Sequence, residues 1–124
     1  MGVMVDGVWR DIPRDQRATG GAFVRPESQF RGQLAAAEAG RYHLYVSRAC
    51  PWAHRTLVVR ALKGLEKAVP VFYADPYMAE NGWEFTAENS AGVRYLHELY
   101  AMAQPGYSGR VTVPTQSFPS HVET

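Results

Sequence analysis

Cysteine is nearly absent from the sequence: the 124 residues contain one, Cys50. A single thiol cannot form a disulfide within the chain, which excludes the class of small secreted domains held together by disulfides. The N-terminus also lacks a basic region followed by an apolar core, so we predict no secretory signal peptide. A lone thiol without an export signal is typical of the reducing cytosol, and we therefore predict a cytoplasmic location.

Long apolar runs and a surplus of charge of one sign are absent as well. No stretch approaches the ~18 consecutive apolar residues that a membrane-spanning helix needs, so we predict no membrane partner. The formal net charge is +1, which gives no bulk attraction to nucleic acid, and we predict no nucleic-acid partner. With 46% hydrophobic and 20% charged residues, the 124-residue chain has the composition and length of one globular domain.

Glycine and proline interrupt the first forty residues, which show no sustained hydrophobic periodicity. We predict an irregular N-terminal arm over residues 1–40, with a short helix over residues 33–38. Regular patterning begins at Arg41. The predicted elements are, in chain order, a strand over 42–46, a helix that Pro51 opens and Gly64 ends, a strand over 68–73, a helix over 90–102 and a strand over 111–114.

This order of elements, β-α-β-α-β, predicts an α/β fold. The short links around the first helix favour a parallel strand pair with a right-handed crossover. Pro70 cannot donate to a strand ladder, so the second strand should lie at an edge of the sheet. Asn81 and Gly82 indicate a turn within a long loop over residues 75–89. Residues 115–124 show neither strand alternation nor a helical period, and we predict a disordered tail.

Cys50 stands where a strand-to-helix link meets the helix that Pro51 opens. As the N-cap residue it would face unpaired backbone N–H groups and the positive end of the helix dipole, which favour the nucleophilic thiolate. A lone cysteine is otherwise most often a small buried apolar residue. The strand, the Cys-Pro pair and the amphipathic helix together favour a reactive thiol. Arg48, His54 and Arg55 lie close in sequence and could add positive potential.

Position 53 holds alanine, so the sequence offers no second cysteine to resolve a mixed disulfide. Cys50 would need an external thiol, and glutathione is the abundant cytosolic candidate. The spacing of Cys50 and His54 allows both to point one way, but a zinc site needs three or four ligands and the other histidines show no pattern around this pair. We predict glutathione as a co-substrate and no metal.

Three runs of the sequence closely resemble the glutathionyl-hydroquinone reductases, which are the omega-like Xi class of glutathione transferases. These runs are GRYHLYVS at 40–47, ACPWAHRTL at 49–57 and LKGLE at 62–66. Shorter matches lie upstream at residues 23–25 and 28–31, and downstream at residues 80–83 and 109–114. The resemblance covers about residues 20–114, and its Cys-Pro-Trp-Ala-His block is far more specific than a bare Cys-Pro pair.

This resemblance implies a thioredoxin-like N-terminal domain followed by an all-helical C-terminal domain, with a homodimer in full-length members. We expect an incomplete thioredoxin-like fold here, because a fourth strand, a third helix and the C-terminal helical domain are missing after Pro114. Residues 41–114 would form a partial glutathione-binding domain, and residues 115–124 a tail unlike the family. The missing helical domain also supports the dimer, so the resemblance gives no firm ground for a dimer of this chain.

The resemblance also implies a reaction and the residues for it. Cys50 would attack the sulfur of a glutathionyl-hydroquinone, release the hydroquinone and keep glutathione as a mixed disulfide, which a second glutathione resolves. Trp83 and Arg110 would contact glutathione. The backbone of Val113 would bond its cysteinyl part, and Pro114 would be the cis-proline that presents this backbone.

Each of these roles has an alternative. Trp83 could be a loop aromatic packed on the core, Arg110 a solvated charge, and Pro114 an ordinary trans terminator of a strand. In the family, a Glu-Ser pair beyond this proline also grips glutathione, and the sequence has no counterpart. The chain could therefore be an inactive fragment or an interaction module that keeps the reactive thiol. A small monothiol glutaredoxin-like module is a third possibility, and it would need a complete four-stranded core.

Overall fold

The computed structural model describes residues 2–12, 27–31, 38–118 and 121–123. Within them lie six strands and two helices. These are β1 (Val3–Val5), β2 (Val8–Arg10), β3 (His43–Ser47), α1 (Pro51–Leu62), β4 (Val71–Ala74), α2 (Leu96–Ala103), β5 (Thr115–Phe118) and β6 (His121–Glu123). The helix predicted over 33–38 falls outside the described residues except for Glu38, and so does the matched segment 23–25.

A four-stranded mixed sheet forms the centre of the fold, with the strand order β4-β3-β5-β6. Strands β3 and β4 are parallel, and β5 pairs antiparallel with both β3 and β6. Strand β3 is central, and its residues Leu44, Tyr45 and Val46 are at most 4% exposed because both faces of the sheet are covered there. The predicted α/β fold and the position of β4 at an edge of the sheet are confirmed.

Helix α1 follows the sequence prediction closely, beginning at Pro51 and reaching Leu62. Ala53 is its one buried residue, and Leu57 packs against the core. Other members of its apolar stripe are open to solvent: Val58 is 41% exposed and Leu62 is 80% exposed. The helical period therefore predicts the right element. Most of the apolar face of this helix, however, is not buried by any part of the described chain.

The strand predicted over residues 111–114 is wrong, because β5 begins only after Pro114. The backbone N–H of Thr112 donates to the Tyr100 hydroxyl oxygen at 3.3 Å, and that hydroxyl donates to the Thr112 carbonyl at 3.1 Å. Because both backbone groups of Thr112 bond to a side chain, this residue does not join a strand ladder. Residues 111–114 are instead a turn that leads into the sheet.

The disordered tail predicted after Pro114 is also wrong for the described residues. Strands β5 and β6 pair with each other and bring the sheet to four strands, so the expectation of a missing fourth strand fails as well. In β5 the buried positions are Thr115, 0% exposed, and Ser117, 6% exposed, with the half-buried Gln116 between them. The period of two is present, but small polar side chains carry it, and a search for apolar alternation does not detect it.

The irregular N-terminal arm contains a β-hairpin that the sequence analysis missed. Strands β1 and β2 pair antiparallel around Asp6 and Gly7, whose φ angles are 49° and 80°. Positive φ at both central residues defines the twisted two-residue turn for which Asp-Gly is a strong signal. The hairpin is anchored in the core by Met4, which is 2% exposed.

Helix α2 begins at Leu96 rather than at the predicted residue 90. The Asn89 side-chain oxygen accepts the backbone N–H groups of Ala91 and Val93, and its amide donates to the Val93 carbonyl. These bonds hold residues 89–93 in a turn that competes with helix formation. The Glu98 carboxylate then accepts the Arg94 N–H at 3.0 Å, which satisfies a backbone group at the start of the helix.

Candidate active site at Cys50

Cys50 is the N-cap residue of α1, with Pro51 at the first helical position, as the sequence predicts. Ser47, the last residue of β3, fixes the link to it: the Ser47 hydroxyl accepts the Ala49 N–H at 3.3 Å and the Ser47 carbonyl accepts the Cys50 N–H at 3.1 Å. Ser47 itself is 0% exposed. The thiol is therefore held at the carboxyl end of the central strand by a hydrogen-bonded turn that begins at the buried Ser47.

The thiol lies at the N-terminus of α1. Backbone N–H groups at the start of a helix carry a partial positive charge, and the first turn of α1, which is fully described, has no acidic residue. Cys50 is partly buried and free of any disulfide. The guanidinium of Arg48 lies 4.6 Å from the centre of the Tyr73 ring, so the structure places this cation over an aromatic face. His54 and Arg55 are exposed on α1.

The turn before β5 meets Cys50 directly. The Cys50 thiol donates to the Val113 carbonyl oxygen with an Sγ–O distance of 3.5 Å, and the Val113–Pro114 peptide bond is cis, as the resemblance implies. Tyr100, which is 1% exposed, reaches this turn from α2, and its hydroxyl lies 3.2 Å from the Thr115 hydroxyl. The Thr115 hydroxyl in turn donates to the Thr112 carbonyl at 2.6 Å. A buried network thus holds the backbone that faces the thiol.

Trp83 lies on a loop tied to the same edge of the sheet. The Asp75 N–H, just after β4, donates to the Glu84 carbonyl at 2.7 Å, and the Leu96 N–H donates to the Trp83 carbonyl at 3.0 Å. The Ser47 hydroxyl also donates to the Asp75 carbonyl at 3.5 Å, which connects this loop to the link before Cys50. Trp83 is partly buried against the core. The predicted turn is present, since the Gly82 N–H donates to the Ala79 carbonyl at 3.0 Å.

Arg110 lies at the start of the segment that reaches Val113. Its carbonyl accepts the Tyr107 hydroxyl at 2.6 Å. Burial raises the pKa of Tyr107 to about 12, the charge of Tyr100 adds to the rise, and the nearby Arg110 guanidinium opposes it. The Arg110 side chain is half-buried and shares no hydrogen bond or ion pair with Cys50 or Trp83 in the described part of the chain. The structure therefore brings Cys50 and Val113 into contact, and places Trp83 and Arg110 on separate segments.

Sequence reasoning missed three side chains that organise this site. Ser47 and Thr115 are small polar residues inside strands, and no sequence signal separates them from solvent-facing ones. Tyr100 lies within the helix predicted over residues 90–102, but its hydroxyl has a bonding role that only the tertiary contact shows. Among residues 2–12, 27–31, 38–118 and 121–123 there is no group of three or more His, Cys, Asp or Glu side chains that could hold a metal ion.

None of the helices in the described residues is long and apolar enough to cross a bilayer. No family model matches the chain. The glutathionyl-hydroquinone reductase PcpF of Sphingobium chlorophenolicum is 51% identical over 123 residues, which cover 92% of this chain and 39% of that relative. The chain thus spans about two fifths of the length of the curated relatives it matches.

Solved structures agree with the sequence comparison. A Xi class GST from Natrialba magadii matches 100% of this chain and 41% of its own length, with a TM-score of 0.74 and 48% identity. The glutathione-bound structure of YqjG, a glutathione transferase homolog from Escherichia coli K-12, matches 98% of this chain and 41% of its own, with a TM-score of 0.73 and 39% identity. The resemblance and the thioredoxin-like fold are confirmed: the chain matches the N-terminal portion of glutathionyl-hydroquinone reductases and of Xi class glutathione transferases.

Proposed function

We propose that this chain carries the thiol and the glutathione-binding part of a glutathione-dependent oxidoreductase that reduces glutathionyl-hydroquinones. The observation that carries the proposal is the placement of the Cys50 thiol at the N-terminus of α1, 3.5 Å from the carbonyl before the cis-proline Pro114. This placement puts a nucleophile beside a backbone segment that the Tyr100 and Thr115 hydroxyls hold in position. Relatives that share half of the sequence are named for this reaction, and one related structure holds glutathione.

Cys50 performs the chemistry in two steps. Its thiolate attacks the sulfur of the glutathionyl-hydroquinone, so that a sulfur–sulfur bond forms while the aryl carbon–sulfur bond breaks. The aryl carbon takes up a proton and the hydroquinone leaves. A second glutathione thiolate then attacks the mixed disulfide, glutathione disulfide departs, and the Cys50 thiolate is restored. The helix N-terminus supports catalysis because its partial positive charge stabilises the thiolate that attacks in the first step and departs in the second.

The remaining site residues bind and orient glutathione in this proposal. Val113 offers its backbone to the cysteinyl part of glutathione, and Pro114 fixes the direction of that backbone. Trp83 contacts glutathione from the loop after β4, and Arg110 supplies a cation for one of its carboxylates. In the observed state the thiol itself donates to the Val113 carbonyl, so the incoming ligand replaces this contact when the thiolate forms.

The test is to follow Cys50 during reaction with a glutathionyl-hydroquinone. Intact-protein mass spectrometry should show one added glutathione, and excess glutathione should remove it as hydroquinone accumulates. Cys50→Ser should show no adduct and should lose well over nine tenths of any turnover, because a hydroxyl stays protonated and reacts poorly with sulfur. Val59→Ala, an exposed change on the same helix, is the matched control and should keep both. Adduct formation or turnover in Cys50→Ser would assign the chemistry to another group.

A second candidate function follows from the four-stranded sheet. This sheet meets the requirement that a small monothiol glutaredoxin-like module must satisfy, namely a complete central sheet around its thiol. Such a module would reduce mixed disulfides between glutathione and another thiol. Comparing turnover of such a mixed disulfide with that of a glutathionyl-hydroquinone separates the two functions. Turnover of neither substrate, with Cys50 still reactive, would favour the alternative of an inactive chain or interaction module.

The extent of the glutathione-binding unit is part of the proposal. The boundary at residue 40 rests on the start of regular patterning at Arg41, and the boundary at residue 114 rests on the family match. The sheet, however, continues through β5 and β6, and the hairpin β1–β2 packs against the core. The resemblance implies a homodimer for full-length members of the family, and it gives no ground for a dimer of this chain. The cytoplasmic location stays a prediction.

A further inference from the structure

The N-terminal hairpin, strands β1 and β2, pairs with the segment that precedes Arg110. The Met4 N–H donates to the Gly109 carbonyl at 2.8 Å, and the Gly109 N–H donates back to the Met4 carbonyl at 3.0 Å. In the turn of the hairpin, the Gly7 N–H donates to the Tyr107 carbonyl at 2.9 Å. The first strand of the hairpin is thus attached by backbone bonds to the residue next to Arg110.

The second strand of the hairpin reaches the loop that precedes Trp83. The Trp9 indole N–H donates to the Glu80 carbonyl at 2.9 Å. Its ring covers Gly82 so closely that a Cβ atom there would lie 3.0 Å from two ring carbons, and Gly82 has a φ of +75°. The Trp9 ring also stacks on the His97 ring, with a centroid distance of 4.9 Å and an interplanar angle of 11°. Trp9 therefore joins the turn over residues 79–82 to the start of α2.

We propose that Trp9 is a positioning residue for the glutathione site, and that the hairpin fixes the separation between Trp83 and Arg110. Each of these two residues directly follows a glycine that the hairpin holds, Gly82 in one case and Gly109 in the other. Within the described residues the two segments share no hydrogen bond with each other. The hairpin bridges them, and α2 does so as well, since its Leu96 N–H donates to the Trp83 carbonyl and the carbonyl of its C-cap residue Gln104 accepts the Tyr107 N–H. The inference rests on the proposed function, because it assigns the hairpin a role toward glutathione.

The physical reason is preorganisation. A ligand that binds several groups on mobile segments loses affinity to the cost of ordering them, whereas a loop already fixed by packing avoids that cost. Trp9 supplies one hydrogen bond and one flat apolar contact to the loop before Trp83. Removing the ring should leave Trp83 more mobile without altering the Cys50 turn, which Ser47 and Val113 hold through separate bonds.

The fluorescence of Trp83 can report on its own mobility. The sequence has only two other tryptophans, Trp9 and Trp52, and both can be replaced. In a Trp52→Phe background, adding Trp9→Phe or Trp9→Ala leaves Trp83 as the only tryptophan, whose emission is excited selectively over that of tyrosine. Acrylamide should quench Trp83 about twice as strongly in the Ala variant as in the Phe variant, since phenylalanine keeps a ring over Gly82. Equal quenching in the two variants would overturn the positioning role directly, with no ligand present.

Affinity for reduced glutathione, measured by calorimetry, is the second readout. Trp9→Ala should raise Kd about 3- to 10-fold, Trp9→Phe should restore part of the affinity, and Val8→Ala, an exposed change on the same strand, should leave Kd unchanged. The alkylation rate of Cys50 by iodoacetamide should be equal in all of them, which a general loss of structure would not allow. If Trp9→Ala fails to fold, the Phe variant decides, with a Kd rise of about twofold at an unchanged Tm expected from loss of the indole N–H.

The two proposals can fail separately. Wild-type protein that binds glutathione, weakened by Trp83→Ala but not by Trp9→Ala, defeats the positioning inference and leaves the proposed function intact. A loss of affinity in Val8→Ala as large as in Trp9→Ala also defeats it, because the effect would then be general destabilisation. Wild-type protein that neither binds glutathione nor forms the Cys50 adduct defeats both.

Discussion

Tyr100→Phe is the most informative single change in the network that faces Cys50. The substitution keeps the buried ring and removes one oxygen. That oxygen accepts the Thr112 N–H at 3.3 Å, donates to the Thr112 carbonyl at 3.1 Å and lies 3.2 Å from the Thr115 hydroxyl. Thr115 still donates to the Thr112 carbonyl at 2.6 Å in the variant, so the acceptor keeps one partner. The main loss falls on the Thr112 N–H.

The magnitude follows from that unsatisfied donor. Leaving a buried backbone donor without its partner costs about 1–3 kcal/mol of unfolding free energy. Thr112 is half-buried, so water can restore part of the bond, and we expect about 1–2 kcal/mol. For a chain of this length each 1 kcal/mol shifts Tm by roughly 3–6 °C, so Tyr100→Phe should lower Tm by roughly 3–12 °C. The turn that presents Val113 should also loosen, which should weaken glutathione binding.

Thermal unfolding followed by circular dichroism measures the first effect, and calorimetry with glutathione measures the second. Tyr77→Phe makes the same chemical change at a tyrosine that is 78% exposed, and it should alter the unfolding free energy by no more than about 0.5 kcal/mol. A Tm for Tyr100→Phe equal to that of Tyr77→Phe would refute the reasoning, because the buried hydroxyl would then contribute nothing beyond its exposed counterpart.

Two predictions concern pH. Burial lowers the pKa of His97 below its usual 6.5, against a smaller opposing effect of Glu98, so the unfolded chain binds this proton more readily and the unfolding free energy should fall as pH drops below ~6.5. His97→Phe, which keeps a ring between Trp9 and Tyr95, should flatten this dependence in urea titrations at pH 7.5 and 5.5; an equal slope in both proteins would contradict it. Burial raises the pKa of Tyr107 to about 12, so its stabilising effect is complete below pH ~10 and is lost as pH rises toward 12. Tyr107→Phe should reduce the loss of stability between pH 9.5 and 11.5, and an unchanged alkaline profile would count against a buried Tyr107.

Local sequence chemistry was enough to predict the thiol's immediate setting. Proline suits the first helical position, and glycine suits the residue after a helix. A cysteine that follows a strand and directly precedes such a proline therefore falls at the N-cap. These preferences act over a few residues, so they survive whatever the rest of the chain does. The hairpin at Asp6 and Gly7 has an equally local signal, because an Asp-Gly pair favours positive φ at both central residues of a two-residue turn.

Elements that depend on partners far along the chain were predicted poorly. Strand β5 buries Thr115 and Ser117, whose side chains look solvent-facing until β3 and α2 are placed around them. Helix α2 starts late because the Asn89 amide takes backbone groups that a helix would otherwise use. In both cases the residue types permitted two outcomes, and a hydrogen-bond partner selected one.

The sequence by itself determined that a cysteine caps a helix after a strand, and which family the chain resembles. Only the tertiary structure decided that the Val113 carbonyl faces this cysteine, that Tyr100 of a different helix holds the adjoining Thr112, and that Trp9 closes over the loop before Trp83. The physical reason is range. Capping and turn preferences are set by neighbours in the chain, whereas these contacts join residues separated by 63, 12 and 71 positions, and they form only when the sheet and both helices are assembled.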